Sequence, residues 1–416
     1  MIERWARASL EVWLSRFPAV LLRGARQVGK STLAQQMVSK RWPAAYRTLD
    51  DRTFLDAALN DPQGVVEGLS TPVVLDEVQR APEVLLGIKR EIDRDRASGR
   101  YLLTGSANLL TMQSVRETLA GRIAVHDLHP FALAEKLGLP LAPHWQALWK
   151  SRDAKSVAAR LPSMGRIDRR AIGEFILSGG YPSPALEPNP SVRRQWFDSY
   201  RQTYLERDVR EITHVAHLPE FNRLLTAIAL RTGQILNIAD VARDLGIPLT
   251  TVRRYLYWLE TTFQIFLLQP YFSNRGKRLV KTPKVYMEDT GLACYLSAAT
   301  EWSDLEAQGR AGALVESWVA GELRKRIALS TEPLQLFYWR THGGQEVDFL
   351  IERGPEVIAI EVKWGQRIDG RARAGLNALS ELLKDKLKLS LILYGGSETI
   401  VLDAKTLLVP LRRFFC

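Results

Sequence analysis

The residues best suited to chemistry stand at Gly24-Ala25-Arg26-Gln27-Val28-Gly29-Lys30-Ser31, a GxxxxGK[ST] pattern with Thr32 behind it and the apolar run Val20-Leu21-Leu22 before it. Consecutive backbone N–H groups can curl around a polyphosphate only where the chain approaches closely, and Gly24 and Gly29 supply that freedom. Lys30 is then placed to reach the outer phosphates and Ser31 to offer its hydroxyl to Mg²⁺, while the helix opening at Ser31 points its positive end at the anion. The stretch reads as an anion cradle.

A second apolar run, Thr71 to Gln79 (TPVVLDEVQ), carries Asp76 and Glu77 at its end. On its own this is equally a buried strand meeting a solvated turn. Beside a phosphate loop it resembles a Walker B strand, in which Asp76 holds Mg²⁺ through water or Ser31 and Glu77 polarises the attacking water.

The elements that must position these groups follow from periodicity. Residues 1 to 17 predict an amphipathic helix with Trp5, Leu10, Trp13 and Leu14 on one side, stopped by Pro18. Strands are expected at Ala45–Asp50 and Gly99–Thr104, and helices after Lys30, around Phe54 to Leu59 and over Pro82 to Arg96. Alternation of this kind implies a parallel sheet with crossover helices. Ser106, just past the strand beside Asp76, is placed to sense a γ-phosphate; a helix N-cap is an equal reading, because Ser favours that position.

The chain has 416 residues, enough for two or three domains, and its 46% hydrophobic content allows each a core. Lys and Arg total 57 against 46 acidic residues, a net charge of +11 that favours polyanionic partners such as DNA. With only Cys294 and Cys416 there is no disulfide framework or zinc cluster, which suits a reducing cytoplasm. No run approaches the ~20 apolar residues that span a bilayer, and no export signal is read.

Four stretches in order, GARQVGKST, VVLDEVQ, LLTGSAN and LAGR (Leu119 to Arg122), resemble the core of an AAA-type ATPase family, AAA_14, whose core is followed by the region known as DUF4143. GGYP at Gly179 to Pro182, YLERDV at Tyr204 to Val209 and KTPKVYMEDTGL at Lys281 to Leu292 extend the likeness over nearly the whole chain. The resemblance implies ATP and Mg²⁺ as cofactors and ATP hydrolysis. Arg122 resembles an arginine finger that completes a neighbouring subunit's site, which implies a homo-oligomer; a surface arginine capping a helix fits equally.

Composition shifts between Leu139 and Arg169, where prolines and basic residues predict a helical excursion or linker closing the ATPase domain. Helices follow at Arg169–Leu177 and Val192–Ile212. Over Leu236 to Thr262, a helix from Ile238 to Leu245, a turn at Gly246-Ile247-Pro248 and a helix from Thr250 predict helix-turn-helix geometry. The second helix would present Thr251, Arg253, Arg254 and Tyr257. Strands at Ile265–Leu268 and Val285–Met287 would form a wing enclosing Arg275, Lys277, Arg278, Lys281 and Lys284. Such a winged helix binds DNA phosphates or serves as a structural joint, and the basic wing favours DNA, without base-specific readout.

Beyond Gln308 a second α/β unit is expected, with a helix over Ala313–Arg326, strands at Gln335–Arg340, Glu346–Ile351, Val357–Lys363 and Leu389–Tyr394, and a helix over Ala372–Leu383. Glu361 and Lys363 share a strand face, and the hairpin through Gly354-Pro355 can bring Asp348 beside them. This resembles the PD-(D/E)xK nuclease fold, although Val347 stands in place of the usual proline. The likeness implies Mg²⁺ on Asp348, Glu361 and, from the preceding helix, Glu316, with Lys363 orienting water.

The expectation is therefore an α/β protein in three parts: an AAA-type P-loop domain over 1–140, a helical and winged-helix domain over 141–305, and a restriction-endonuclease-like domain over 306–416. ATP-dependent action on DNA is the leading function. A nucleotide-switched protein-interaction ATPase with an inactive nuclease-like domain is the alternative.

Overall fold

The computed structural model describes residues 2–106, 121–142, 144–162, 167–205, 218–272, 281–341, 343–368 and 370–416. They form two compact units: Met1–Pro130 with Tyr257–Gln264, and Phe131–Leu256 with Ile265–Cys416.

The first unit is a five-stranded sheet, with strands β1 (Ala19–Gly24), β2 (Ala45–Thr48), β3 (Val73–Asp76), β4 (Tyr101–Ser106) and β5 (Ile123–Asp127) in the order β2-β3-β4-β1-β5. All four pairings are parallel. Every strand therefore ends on the same edge of the sheet, where Gly24, Asp76 and Ser106 stand. Helices α1 (Ala6–Leu14), α2 (Lys30–Met37), α3 (Arg52–Asn60), α4 (Pro62–Glu67) and α5 (Val84–Arg94) make the connections. Helix α5 buries Val84, Leu85, Ile88 and Ile92 in one core with Val73, Leu75, Tyr101 and Leu103. Each such side chain contributes roughly 1.5–3 kcal/mol when fully buried, so the strand tips rest on a stiff support. Helix α4 was not foreseen; Asp61 caps it by accepting from Gly64 N at 2.8 Å, and Pro62 fills its first turn.

The second unit opens with α6 (Leu133–Lys136), α7 (His144–Lys150) and α8 (Ala154–Ala158). The expected helical excursion is present, but it packs on the C-terminal sheet: Ala154 N donates to Ala404 O at 2.9 Å, and the Arg353 guanidinium lies 4.7 Å from the Trp149 ring. Trp145, Leu148 and Trp149 are buried, and an apolar cluster of that size needs a partner surface that no linker provides.

Helices α9 (Arg169–Ser178), α10 (Pro182–Leu186), α11 (Pro190–Tyr200) and α12 (Leu218–Leu230) lead into β6 (Gln234–Ile235), α13 (Ile238–Leu245), α14 (Leu249–Thr261), β7 (Ile265–Leu268) and β8 (Lys284–Met287). The strands pair antiparallel in the order β6-β8-β7, which is winged-helix topology. Gly246 at φ 64 ends α13 as a left-handed C-cap. Two of the recurring sequence signatures prove to be one structural joint. Asp289, buried ahead of helix α15 (Thr290–Leu296), accepts from Gly180 N at 2.7 Å and Leu292 N at 2.9 Å. A β-carbon on Gly179 would stand 2.2 Å from its carboxylate.

After α16 (Trp302–Ala307) and α17 (Ala311–Ala328) comes a six-stranded mixed sheet of β9 (Leu334–Arg340), β10 (Glu346–Arg353), β11 (Glu356–Lys363), β12 (Leu387–Tyr394), β13 (Ile400–Val401) and β14 (Thr406–Pro410), with α18 (Arg371–Leu383) and the terminal α19 (Leu411–Phe415). Its order is β13-β14-β12-β11-β10-β9. Residues on nearly every side of α17 are buried, and Glu322 within it is fully enclosed, held by Arg326 Nη1 at 2.6 Å and Leu133 N at 3.1 Å.

Candidate functional site

At the tip of β1 the chain passes so close to Leu128 that a β-carbon on Gly24 would lie 2.3 Å from the Leu128 carbonyl oxygen, which closes the position to any other residue. Gln27 at φ 58 and Gly29 at φ 98 then take left-handed turns, the backbone habit that aims successive N–H groups into a concavity. The Lys30 ammonium is buried and donates to the carbonyls of Ala25 at 2.9 Å and Gly24 at 3.2 Å. Arg4 buckles the loop from outside, donating to Val28 O at 3.1 Å and His129 O at 2.6 Å. Sequence reading missed Arg4, because its acceptors are backbone carbonyls far along the chain.

Asp76 is buried at the tip of β3 and accepts from the Tyr46 phenol at 2.8 Å and from the Thr104 hydroxyl. Burial, and then the Asp76 charge, push the Tyr46 phenol up, so it stays a donor. Glu77 sits at φ 61, a left-handed conformation that costs a non-glycine residue about 1–3 kcal/mol and concentrates at functional sites. Its N–H donates to Thr104 Oγ1 at 3.1 Å, and its carboxylate receives the Gln79 amide. Tyr46, Gln79 and Thr104 were not foreseen, yet Thr104 was legible: it lies two residues before Ser106 on a strand and shares its face. Ser106 pairs in register with Gly24 at the start of the loop; its side chain lies outside the described residues. Arg122 forms a two-point pair with Asp93, at 2.8 and 3.1 Å.

The donor set fits a nucleotide polyphosphate with its metal: a left-handed cradle, a buried ammonium and a buried carboxylate meet at one sheet edge. Below it on β5, His126 is buried, its Nε2 has no hydrogen-bond partner among the described residues, and burial pushes the imidazole down to about 4.

In the second unit β10 and β11 pair antiparallel, with Phe349 opposite Ile360, which sets Asp348 beside Glu361. The Asp348 carboxylate accepts from Val362 N at 2.7 Å, and Lys363 Nζ reaches Glu361 Oε1 at 2.6 Å. The register shift between Val347 and Leu350 against β9 marks a bulge at this point. Burial, with Glu316 and Glu361 nearby, pushes the Asp348 carboxyl well above the usual carboxylate range. Burial likewise raises Glu361, whose Oε2 has no hydrogen-bond partner among the described residues.

Glu316, on α17, lies near Asp348 and Glu361, and its Oε1 accepts from Lys284 at 2.9 Å and from the Tyr286 phenol at 2.6 Å. Among the described residues no three His, Cys, Asp or Glu side chains stand together as a group able to hold a metal ion. The carboxylates are present, but as arranged they are answered by ammonium groups and do not fit a divalent cation. Lys284, expected among the basic residues of the wing, is instead buried against Glu316 and Glu346, and Tyr286 was missed because it comes from the winged-helix sheet, outside the stretch that carries the ExK pattern.

Arg253 and Arg254 are exposed on α14 beside exposed Tyr257, while Arg275, Lys277 and Arg278 lie outside the described residues. Among the described residues no helix is long and apolar enough to cross a membrane.

Residues 16–137 match the family described as AAA domain (AAA_14), residues 169–303 a domain of unknown function (DUF8612), and residues 311–414 a domain of unknown function (DUF4143). An uncharacterized protein of Mycobacterium tuberculosis is 32% identical over 412 residues, spanning 99% of this chain and 84% of that relative. One from Methanocaldococcus jannaschii is 23% identical over 409 residues, spanning 94% and 86%. Among solved structures, a Walker-type ATPase of Pyrococcus abyssi aligns with a TM-score of 0.43 at 16% identity, covering 71% of this chain and 96% of that one. With its P-loop sheet, its matched regions and its relatives in this order, the chain belongs to the AAA_14/DUF4143 family of AAA-type P-loop ATPases.

Proposed function

We propose that this chain binds and hydrolyses ATP with Mg²⁺ at the β1–α2 loop and couples nucleotide state to DNA held by its winged-helix region, acting as a cytoplasmic homo-oligomer. The observation behind the reading is the pairing of Lys30, folded over its own loop carbonyls, with Asp76, buried on the same edge of the parallel sheet. Lys30 neutralises the outer phosphates, and Ser31 and Asp76 would hold Mg²⁺, which supplies charge stabilisation on the transferred group. Glu77, set by Thr104 and Gln79, takes the proton of the attacking water. Arg122 would supply the finger to a neighbouring copy once released from Asp93. Exposed Arg253 and Arg254 contact phosphates and carry no sequence preference.

The test is the steady-state ATPase rate with Mg²⁺, alone and with single-stranded, duplex and branched DNA, scoring the same tubes for cleavage. Stimulation by one DNA form, with binding that falls steeply with salt, supports the DNA reading. A flat response to all three removes it.

A second reading, favoured by the Lys284–Glu316 ion pair, is a nucleotide-switched interaction protein whose nuclease-like domain serves as a binding platform. Capture of a protein partner that depends on Glu77→Gln, with no DNA effect, supports it.

A further inference from the structure

The carboxylate cluster of the second unit gathers Glu316 from α17, Glu346 and Asp348 from β10 and Glu361 from β11. Into it projects a cation from a different sheet. Lys284 begins β8, paired on one side with Ile235 and on the other with Leu268, so its backbone is fixed at the centre of the three-stranded sheet. Its ammonium is buried against Glu316 and Glu346, and the Tyr338 ring closes it off at 5.6 Å. Tyr286, two residues along the same face, donates to the same Glu316 oxygen, Oε1, as Lys284. The two sheets are joined where Tyr271 N donates to Tyr338 O at 2.6 Å and Tyr338 N to Gln269 O at 3.1 Å. Among the described residues the buried Oε2 of Glu361 has no hydrogen-bond partner.

We propose that Lys284 is the resident cation of this cluster, taking the charge-balancing place of a divalent ion and latching the winged-helix sheet to the nuclease-like sheet. A buried carboxylate needs a paired cation, and an ammonium already held by Glu316 and Glu346 repels a second, doubly charged one. While the sheets are docked, the cluster is closed to divalent metal; β8 must withdraw before oxygen ligands become free. This goes beyond the ATPase reading.

The test measures Mn²⁺ uptake by electron paramagnetic resonance on the nucleotide-free full-length chain. Wild type and Asp348→Asn should take up the same amount. Lys284→Met should gain one Mn²⁺ site per chain, at least about tenfold tighter than any in wild type, because Glu316 and Glu346 have lost the buried ammonium they share. The gain should vanish in Lys284→Met/Asp348→Asn. Wild-type uptake that Asp348→Asn removes would overturn the proposal, since metal and Lys284 would then share the site. A cooperatively melting Lys284→Met that gains nothing would overturn it too, and if that variant fails to fold the wild-type and Asp348→Asn comparison decides alone. ATP turnover is not read, so failure of the ATPase assignment leaves this result intact.

Discussion

Two lysines, Lys30 at 5% exposure in the first unit and Lys284 at 3% in the second, are buried alike and put to opposite uses. Lys30 donates to the carbonyls of Ala25 and Gly24 in its own loop. Lys284 donates to carboxylates. Burial pushes its ammonium down, but Glu316, Asp348 and Glu346 outweigh this and raise it, so the charge is fixed and already answered. One lysine is folded over the backbone of its loop, and the other is locked among carboxylates.

The comparison predicts that the side-chain-paired unit suffers most from loss of one partner. Arg326→Met should destabilise the second unit by about 3–5 kcal/mol, because it strips the main cation from fully enclosed Glu322. Denaturant unfolding followed in that unit checks this, and a loss below about 1 kcal/mol would break the contrast. In the first unit the cost should fall on chemistry. Lys30→Ala should lower ATP turnover at least about a hundredfold with little change in melting, as for removal of a preorganised charge donor; phosphate release and calorimetry on one sample separate the two.

A third prediction concerns acid. His126 is neutral in the folded chain at about 4, below its ordinary 6.5, so its contribution is present above pH 6.5 and lost as pH falls toward 4, about 3 kcal/mol in all. His126→Leu should flatten that part of the stability curve, and an unchanged curve would show that the imidazole is already solvated. The smallest effect is expected from Tyr46→Phe, which removes one hydrogen bond to Asp76 while Thr104 keeps the other. About 1.5 kcal/mol, seen as a roughly tenfold rise in the Mg²⁺ needed for half-maximal turnover, would mark Tyr46 as a positioning residue.

The phosphate loop was legible because its geometry is written locally. Gly24 and Gly29 mark the close approach and the left-handed turn, and Lys30 acts on carbonyls five and six residues away. The parallel sheet followed from alternation of strands and helices, and the winged helix from Gly246 between two amphipathic runs. Between Leu139 and Arg169 prolines and basic residues pointed to a helical excursion or a linker but not to its destination, since burial is non-directional and any apolar surface would have served. Strands β13 and β14 escaped notice because one is two residues long and the other depends on pairing with β12.

The sequence by itself determined which residues could cradle phosphate and which carboxylates share a strand face, because both depend on backbone conformation within a few residues. Only the tertiary structure decided what those groups meet. Arg4 reaches His129, Tyr46 reaches Asp76 and Lys284 reaches Glu316 across 125, 30 and 32 residues. Electrostatic partners are chosen by distance in space, and no local pattern encodes that distance.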